Sequence, residues 1–181
     1  MLASASPRRA ELLRAAGFSF DVIVADVDEQ VRDDESPAAY VRRLAADKSA
    51  AIPEVGADTV ILGADTAVIV DGDILGKPRD DEEAAAMLRR LSGRTHEVLT
   101  GVSLRRGAFE LGRVETTVVH VTPLSHAELA WYVASGEGRD KAGAYAIQGL
   151  ASRFVSRIEG SYTNVVGLPI ACVVELLAQI R

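Results

Sequence analysis

The most apolar stretch of the chain, residues 60–70, carries one carboxylate near its middle. It reads Val-Ile-Leu-Gly-Ala-Asp-Thr-Ala-Val-Ile-Val, and the acid is Asp65. A run of aliphatic residues like this one predicts a strand. A carboxylate inside it must be paired, hydrogen-bonded, metal-bound or protonated, because an uncompensated buried charge is costly. Asp65 is therefore either a structural residue that caps or bends a strand pair, or a member of a functional site, and the run alone leaves both open.

Composition narrows the class of protein. The chain has 181 residues, of which 48% are hydrophobic and 25% charged, as expected for one globular domain covering 1–181. No apolar run reaches the roughly 20 residues that span a bilayer, so we expect no membrane association. A single cysteine, Cys172, excludes an internal disulfide, and the first residues do not resemble a secretion signal. We therefore expect a cytoplasmic protein.

The charge balance limits the partners. The formal net charge is -6, which argues against binding of polymeric nucleic acid because such binding needs a basic face. A small anionic ligand stays possible, since a few local cations, a helix N-terminus or a metal ion can hold it.

Helical and strand patterns alternate along the chain, which predicts an α/β fold. Strands are predicted at 18–24, around Asp65, at 97–104 and 112–122 as an antiparallel hairpin, and near 153–155. The hairpin favours a mixed, twisted sheet over a purely parallel one. Five longer helices are predicted from capping serines, first-turn prolines and acidic starts. They begin at Pro7, Pro37, Asp80, Ser125 and Pro169, and the last is expected to pack through Ile170, Val173, Val174 and Leu177.

The start of the first helix is a candidate phosphate cradle. The sequence Ser4-Ala5-Ser6-Pro7-Arg8-Arg9 offers two hydroxyls, free backbone N–H groups and two guanidinium groups. Arginine binds phosphate oxygens through two parallel hydrogen bonds, and helix N-termini favour anions. The alternative is an ordinary helix cap followed by two solvated arginines.

Two lysines are candidates for the same anionic ligand. Lys48 falls on the apolar face of the second helix, together with Val41 and Leu44. Such a lysine either extends its ammonium to solvent or points it into a polar cleft. Lys77 follows the turn at Asp71 and Gly72, so it is either an exposed turn residue or a second cation near Asp65.

An acidic stretch and a glutamine complete the candidates. Residues 26–29 read Asp-Val-Asp-Glu, and oxygen ligands such as Glu29 suit magnesium or manganese bound together with substrate phosphates. A solvated acidic loop is the alternative. Gln148 stands in a glycine-flanked block, residues 140–149, where its amide could read the edge of a base.

Taken in order, these segments resemble the Maf family of nucleoside triphosphate pyrophosphatases. The resemblance covers nearly the whole chain. It rests on seven short blocks, at residues 2–9, 27–29, 63–66, 76–78, 91–96, 140–143 and 166–169. It implies hydrolysis of a nucleoside triphosphate between the α and β phosphates, with a divalent metal, magnesium or manganese, as cofactor. It also implies an elongated fold with two lobes and a central cleft, similar to the inosine triphosphate pyrophosphatases, and a possible homodimer.

The resemblance assigns roles to the candidate residues. Asp65 corresponds to the general base, and Glu29 to an acid near the metal. The resemblance also implies phosphate binding by Arg8 and Arg9, cleft lysines at Lys48 and Lys77, and a role in specificity for Gln148. From the residues themselves we expect Ser4 and Ser6 to bind substrate as part of the phosphate cradle, and Asp65 to contact the metal as well. The block Gly-Ala-Asp-Thr at 63–66 and the glutamine at 148 resemble the family branch that prefers dTTP and UTP. Because some family members are linked to arrest of septum formation, a nucleotide-sensing regulator with incidental turnover is the alternative function.

Overall fold

The computed structural model describes residues 1–53, 56 and 58–180. In this part of the chain, seven strands and six α-helices follow one another in mixed order. The strands are β1 (Leu2–Ala3), β2 (Val22–Ile23), β3 (Ile61–Val70), β4 (Asp73–Leu75), β5 (Thr95–Arg106), β6 (Phe109–Val121) and β7 (Val155–Glu159). The helices are α1 (Pro7–Ala15), α2 (Pro37–Ala50), α3 (Asp81–Leu91), α4 (His126–Ala134), α5 (Tyr162–Val166) and α6 (Ile170–Gln179). Two short 3₁₀ helices lie at Ala142–Ala144 and Leu150–Arg153.

All seven strands belong to one sheet in the order β2-β1-β3-β5-β6-β7, with β4 paired to β3. Strand β1 pairs in parallel with β2 and β3, whereas β3 with β4 and β6 with β7 are antiparallel. The predicted mixed α/β fold with helices flanking an open sheet is therefore confirmed.

The predicted helix starts are also confirmed. The Ser36 hydroxyl accepts a hydrogen bond from the Ala39 amide, and Asp80 caps α3 in the same way. Ser125 begins α4 with the complete capping box that its spacing to Glu128 predicts. Ser6 occupies the cap of α1, but its side chain makes no capping hydrogen bond.

Two predictions about local structure are wrong. The segment 18–24 forms a strand only at Val22–Ile23, because its partner β1 is itself only two residues long. In α6, Val174 is 48% exposed, and the buried stripe runs instead through Cys172, Val173 and Leu176. Residues three and four apart share a helix face, so position 176 continues the stripe of 172 and 173, which position 174 leaves.

The chain divides into two compact units. The first unit contains Met1–Thr66, Leu99–Glu115 and Gly167–Arg181, and the second contains Ala67–Val98 and Thr116–Val166. Each unit has its own apolar core, built around Leu2, Leu62, Val102 and Leu168 in the first and around Leu91, Val98, Val119 and Tyr132 in the second. A single domain with a central cleft stays a prediction. Within the described residues, no helix has the length and apolar character needed to cross a membrane.

Candidate functional site

Asp65 forms a buried ion pair with Lys48. Asp65 lies on β3 and Lys48 on α2, both within the first unit. The Lys48 ammonium donates to Asp65 Oδ1 over 2.7 Å, and only 11% and 12% of the two side chains are exposed. The lysine therefore points inward rather than to solvent, and it supplies the partner that a buried carboxylate needs.

Two glycines allow helix α2 to lie directly on the sheet. A Cβ atom at Gly63 would overlap the Ala45 carbonyl oxygen, and one at Gly101 would overlap the Val41 carbonyl oxygen. Any side chain at these two positions would push the helix outward. The close approach brings the last turn of α2, which carries Lys48, within reach of the strand that carries Asp65.

Glu29 shares the same lysine. Its Oε1 lies 2.7 Å from Lys48 Nζ, while its side chain is 55% exposed. Asp65, Lys48 and Glu29 thus come together, with one ammonium between two carboxylates. We call these three residues the acid–lysine cluster.

The carboxylates of Asp65 and Glu29 fit a divalent metal ion that takes only one or two of its ligands from the protein. Both already contact one cationic group, and magnesium is commonly held by one or two carboxylates together with substrate phosphates and water. No group of three or more His, Cys, Asp or Glu side chains that could hold a metal ion occurs among the described residues. The pair of carboxylates on one ammonium is thus the part of the described structure that fits such an ion.

Arg9 is a buried connector within the first unit. It is 8% exposed, and its guanidinium donates to four acceptors. These are Gly167 O at 2.8 Å, Ala64 O at 2.8 Å, Thr66 Oγ1 at 3.0 Å and Ser4 Oγ at 3.2 Å. Burial lowers the pKa of Arg9, and the nearby Asp65 carboxylate opposes that shift. Arg9 thus binds the residues on both sides of Asp65, through the Ala64 carbonyl and the Thr66 hydroxyl.

The other residues of the predicted phosphate cradle surround the start of α1. The Ser4 hydroxyl accepts from the Ser6 amide over 3.2 Å as well as from Arg9. Ser4 is buried, whereas Ser6 and Arg8 are partly exposed. Arg8 is close enough to Arg9 for its charge to help lower the pKa of that residue. Of the two arginines, Arg8 is thus the more accessible to a ligand.

Lys77 and Gln148 belong to the second unit, and both are exposed. Their segments are joined, because the Gly143 amide donates to the Gly76 carbonyl over 3.1 Å. The position of these two residues relative to Asp65 stays a prediction.

Sequence reasoning missed the residues that hold the Gln148 segment. The Tyr132 hydroxyl donates to Glu137 over 2.7 Å and accepts from the Ala146 amide over 3.1 Å. The Glu137 carboxylate accepts from the Leu150 amide over 2.8 Å. Tyr132 and Glu137 thus bind the backbone two residues before and two residues after Gln148. The signal in the sequence is a lone acid between two glycines, at residues 136–138.

Tyr40 on α2 is a further residue beside the acid–lysine cluster that was not predicted from the sequence. Its hydroxyl donates to the Glu29 carbonyl over 3.0 Å. Burial, with help from the Asp65 and Glu29 carboxylates, raises the pKa of Tyr40 to about 12. The spacing of Tyr40, Leu44 and Lys48 on one face of α2 could have indicated that it lies beside the acid–lysine cluster.

Comparison with known proteins shows the family of this chain. A family model described as Maf-like protein matches residues 1–180. The chain belongs to this family. A protein of Symbiobacterium thermophilum named dTTP/UTP pyrophosphatase is 53% identical over 179 residues, covering 99% of this chain and 92% of that protein.

More distant relatives carry the same name. The dTTP/UTP pyrophosphatase of Hahella chejuensis is 52% identical, with 99% of this chain and 90% of that protein covered. The one of Acinetobacter baylyi is 43% identical, with 99% of this chain and 98% of that protein covered. The similarity therefore covers 99% of this chain and at least 90% of each of these three relatives.

Proposed function

We propose that this protein is a nucleoside triphosphate pyrophosphatase that prefers dTTP and UTP. It cleaves the bond between the α and β phosphates and releases a nucleoside monophosphate and pyrophosphate. The observation that carries the proposal is the buried Lys48–Asp65 pair with Glu29 on the same ammonium. Membership of the Maf-like family and the names of the relatives support the same activity.

Asp65 acts as the general base. The reaction needs a water molecule aligned with the α phosphorus and an acceptor for its proton. Asp65 Oδ1 is bonded to Lys48, and the carboxylate lies in a strand whose neighbouring residues are bound by Arg9. Its orientation is thus fixed before substrate arrives. The water oxygen bonds to the α phosphorus, its proton passes to Asp65, and the bond to the pyrophosphate oxygen breaks.

Glu29 and Asp65 would hold the divalent metal, magnesium or manganese. When bound, the metal supplies Lewis-acid polarisation of the phosphate oxygens and a template for the triphosphate. Lys48 reduces the negative charge of the two acids, so that an anionic substrate meets less repulsion.

The remaining cations neutralise the triphosphate. Arg8, at the start of α1, is the accessible arginine, and Lys77 is the exposed lysine of the second unit. Cations at these positions stabilise charge that develops on the leaving pyrophosphate. Ser4 and Ser6 surround the helix start, where backbone N–H groups favour a phosphate. Arg9 supports this region from within rather than by binding phosphate.

Gln148 contributes to base selection. Its amide can donate to and accept from the edge of a pyrimidine. The exposed side chain stands on a segment that Tyr132 and Glu137 fix at both ends, which suits a specificity residue.

A panel of ribo- and deoxyribonucleoside triphosphates tests the proposal. The purified protein, with magnesium or manganese, should release pyrophosphate rather than orthophosphate, fastest from dTTP and UTP. Nucleotide binding without pyrophosphate release would contradict it and favour the nucleotide-sensing regulator. The names of the relatives favour the enzyme.

We also propose a cytoplasmic location and a homodimer, the latter on family resemblance alone. Cell fractionation tests the location. Light scattering on the purified chain tests the homodimer.

A further inference from the structure

Glu29 reaches the acid–lysine cluster from a segment that has little regular structure. Residues 24–32 form neither helix nor strand. A side chain on such a segment loses considerable conformational entropy when it is held in one place. Some other contact must therefore restrict the backbone if Glu29 is to remain beside Lys48.

Two side chains of helix α2 supply that contact, because they bind three successive carbonyl groups of the segment, those of residues 28–30. Arg43 Nη1 lies 3.5 Å from the Asp28 carbonyl, and Arg43 Nη2 donates to the Gln30 carbonyl over 3.0 Å. Between them, the Tyr40 hydroxyl donates to the Glu29 carbonyl over 3.0 Å. The backbone on both sides of the Glu29 side chain is thus bound by two residues of one helix.

Arg43 is itself held in place. Its Nε and Nη2 atoms bond to the two carboxylate oxygens of Glu35 at 2.7 and 2.8 Å. This bidentate pair is shielded, with 13% and 9% of the side chains exposed. The hydrogen bond from Arg43 is the main reason that the pKa of Glu35 falls to about 2. The Arg43 guanidinium also lies over the Tyr40 ring, 5.7 Å from its centroid.

The same helix also carries Lys48, two turns beyond Tyr40 on the same face. One rigid element therefore sets both the backbone of Glu29 and the ammonium that its carboxylate touches. We propose that Tyr40 and Arg43 are positioning residues, which hold Glu29 beside Asp65 in the arrangement that the reaction uses. The inference rests on the proposed function for its catalytic consequence, but its structural part can be tested separately.

Hydrogen exchange on the protein without nucleotide tests the structural part. The amides of Gln30 and Arg32 are bonded to Asp28 and Glu35 and report on the segment. Arg43→Gln and Tyr40→Phe should each increase exchange over residues 28–32. Arg42→Gln is the matched control, because Arg42 is the neighbouring arginine and pairs with Glu110 instead. It should leave that exchange unchanged, and equal exchange in all four proteins would overturn the inference.

A double-mutant cycle tests the catalytic part. Arg43→Gln should lower kcat/KM for dTTP by about tenfold, since it removes charged hydrogen bonds. In a Glu29→Gln background, the same change should cost less than about twofold, because the residue it positions no longer carries a carboxylate. Tyr40→Phe, which removes one oxygen atom, should show the same pattern with a smaller effect. An equal loss in both backgrounds would mean a general structural role and would overturn the inference.

The two failures can be told apart. A wild-type protein that releases no pyrophosphate contradicts the proposed function, while the exchange measurement still decides the contact. If the wild type releases pyrophosphate but the Arg43 and Tyr40 variants exchange at its rate, only the inference is contradicted. The same holds if the variants lose equal activity in both backgrounds.

Discussion

At the scale of single residues, the site is built from compensated charges. Asp65 and Lys48 are both almost fully buried, and neither would be stable there without the other. The same logic holds for Arg9, whose buried guanidinium has four acceptors. Among the described residues, the buried side chains of Arg9, Lys48 and Asp65 thus lie where the chemistry is proposed.

Because Lys48 and Asp65 form a buried pair, we predict that substitutions of the two residues have non-additive effects on the free energy of unfolding. Lys48→Met should lower the free energy of unfolding by about 3 kcal/mol, because it leaves an unpaired carboxylate in the interior. In an Asp65→Asn background the loss should be much smaller. Urea unfolding of the two single variants and the double variant measures this coupling. Lys77→Met, which changes an exposed lysine, is the control, and equal losses in both backgrounds would refute the coupling.

The burial of His96 leads us to predict that the free energy of unfolding depends on pH. Burial lowers its pKa from the usual 6.5 to about 4. Its Nε2 contacts the Tyr145 hydroxyl at 2.8 Å, while its Nδ1 has no hydrogen-bond partner among the described residues. The unfolded chain therefore binds a proton at higher pH than the folded chain does. The contribution of His96, about 3 kcal/mol, is fully present above pH 6.5 and is lost as the pH falls towards 4.

Urea unfolding between pH 7.5 and 4.5 measures this effect. The wild type should lose stability steeply in that window, and His96→Gln should flatten the slope because its side chain does not titrate. His126→Gln changes an exposed histidine and should retain the wild-type slope. Parallel slopes for the wild type and His96→Gln would show that another group is responsible.

At the scale of elements, the decisive contact is between α2 and the sheet. Gly63 on β3 and Gly101 on β5 leave no room for a side chain against the helix backbone. Ser49 and Ser103 form a buried hydrogen bond of 2.9 Å across the same interface. The position of Lys48 thus depends on two residues that have no side chain of their own.

Gly101→Ala should therefore affect both stability and activity. The added carbon would overlap the Val41 carbonyl, so the helix must shift, at a cost of about 3 kcal/mol. Pyrophosphate release should fall as well, because Lys48 moves with the helix. Gly76→Ala is the control for stability, since nothing lies within 4 Å of its added carbon. A Gly101→Ala protein with wild-type unfolding would show that the interface tolerates the extra atom.

Much of the local structure could be predicted from sequence. Helix starts depend on nearby residues, which is why Ser36, Asp80 and Ser125 identified α2, α3 and α4. The length of β2 could not be predicted, because it is set by a partner strand twenty residues away in the chain. The buried face of α6 was also misjudged at Val174, where an apolar residue faces outward.

The residues of the candidate site also divide into those that could be predicted from sequence and those that could not. Asp65, Lys48 and Glu29 were predicted because they break the pattern around them or match the family blocks. Tyr40, Arg43 and Glu137 act through backbone carbonyls and amides, and such contacts leave no chemical motif in the sequence. Arg9 shows the limit most clearly, since two neighbouring arginines of one motif differ in burial, and the motif does not distinguish them.

At the scale of the whole molecule, the proposed activity draws on both compact units. The acid–lysine cluster, Arg8 and Arg9 belong to the first unit, and Lys77 and Gln148 belong to the second. The proposed division is chemistry and phosphate binding in one unit, with base selection and a further cation in the other. Proteins named dTTP/UTP pyrophosphatase match 99% of this chain, so the similarity includes the residues of both units.

The most direct test of this account is pyrophosphate release from dTTP by Asp65→Asn. The substitution retains the shape of the side chain and removes the base, so turnover should fall by about 10²–10⁴-fold. Asp33→Asn makes the same change at an exposed aspartate and should retain wild-type turnover. Circular dichroism should show that both variants are folded. A folded Asp65→Asn protein that releases pyrophosphate at the wild-type rate would contradict the account.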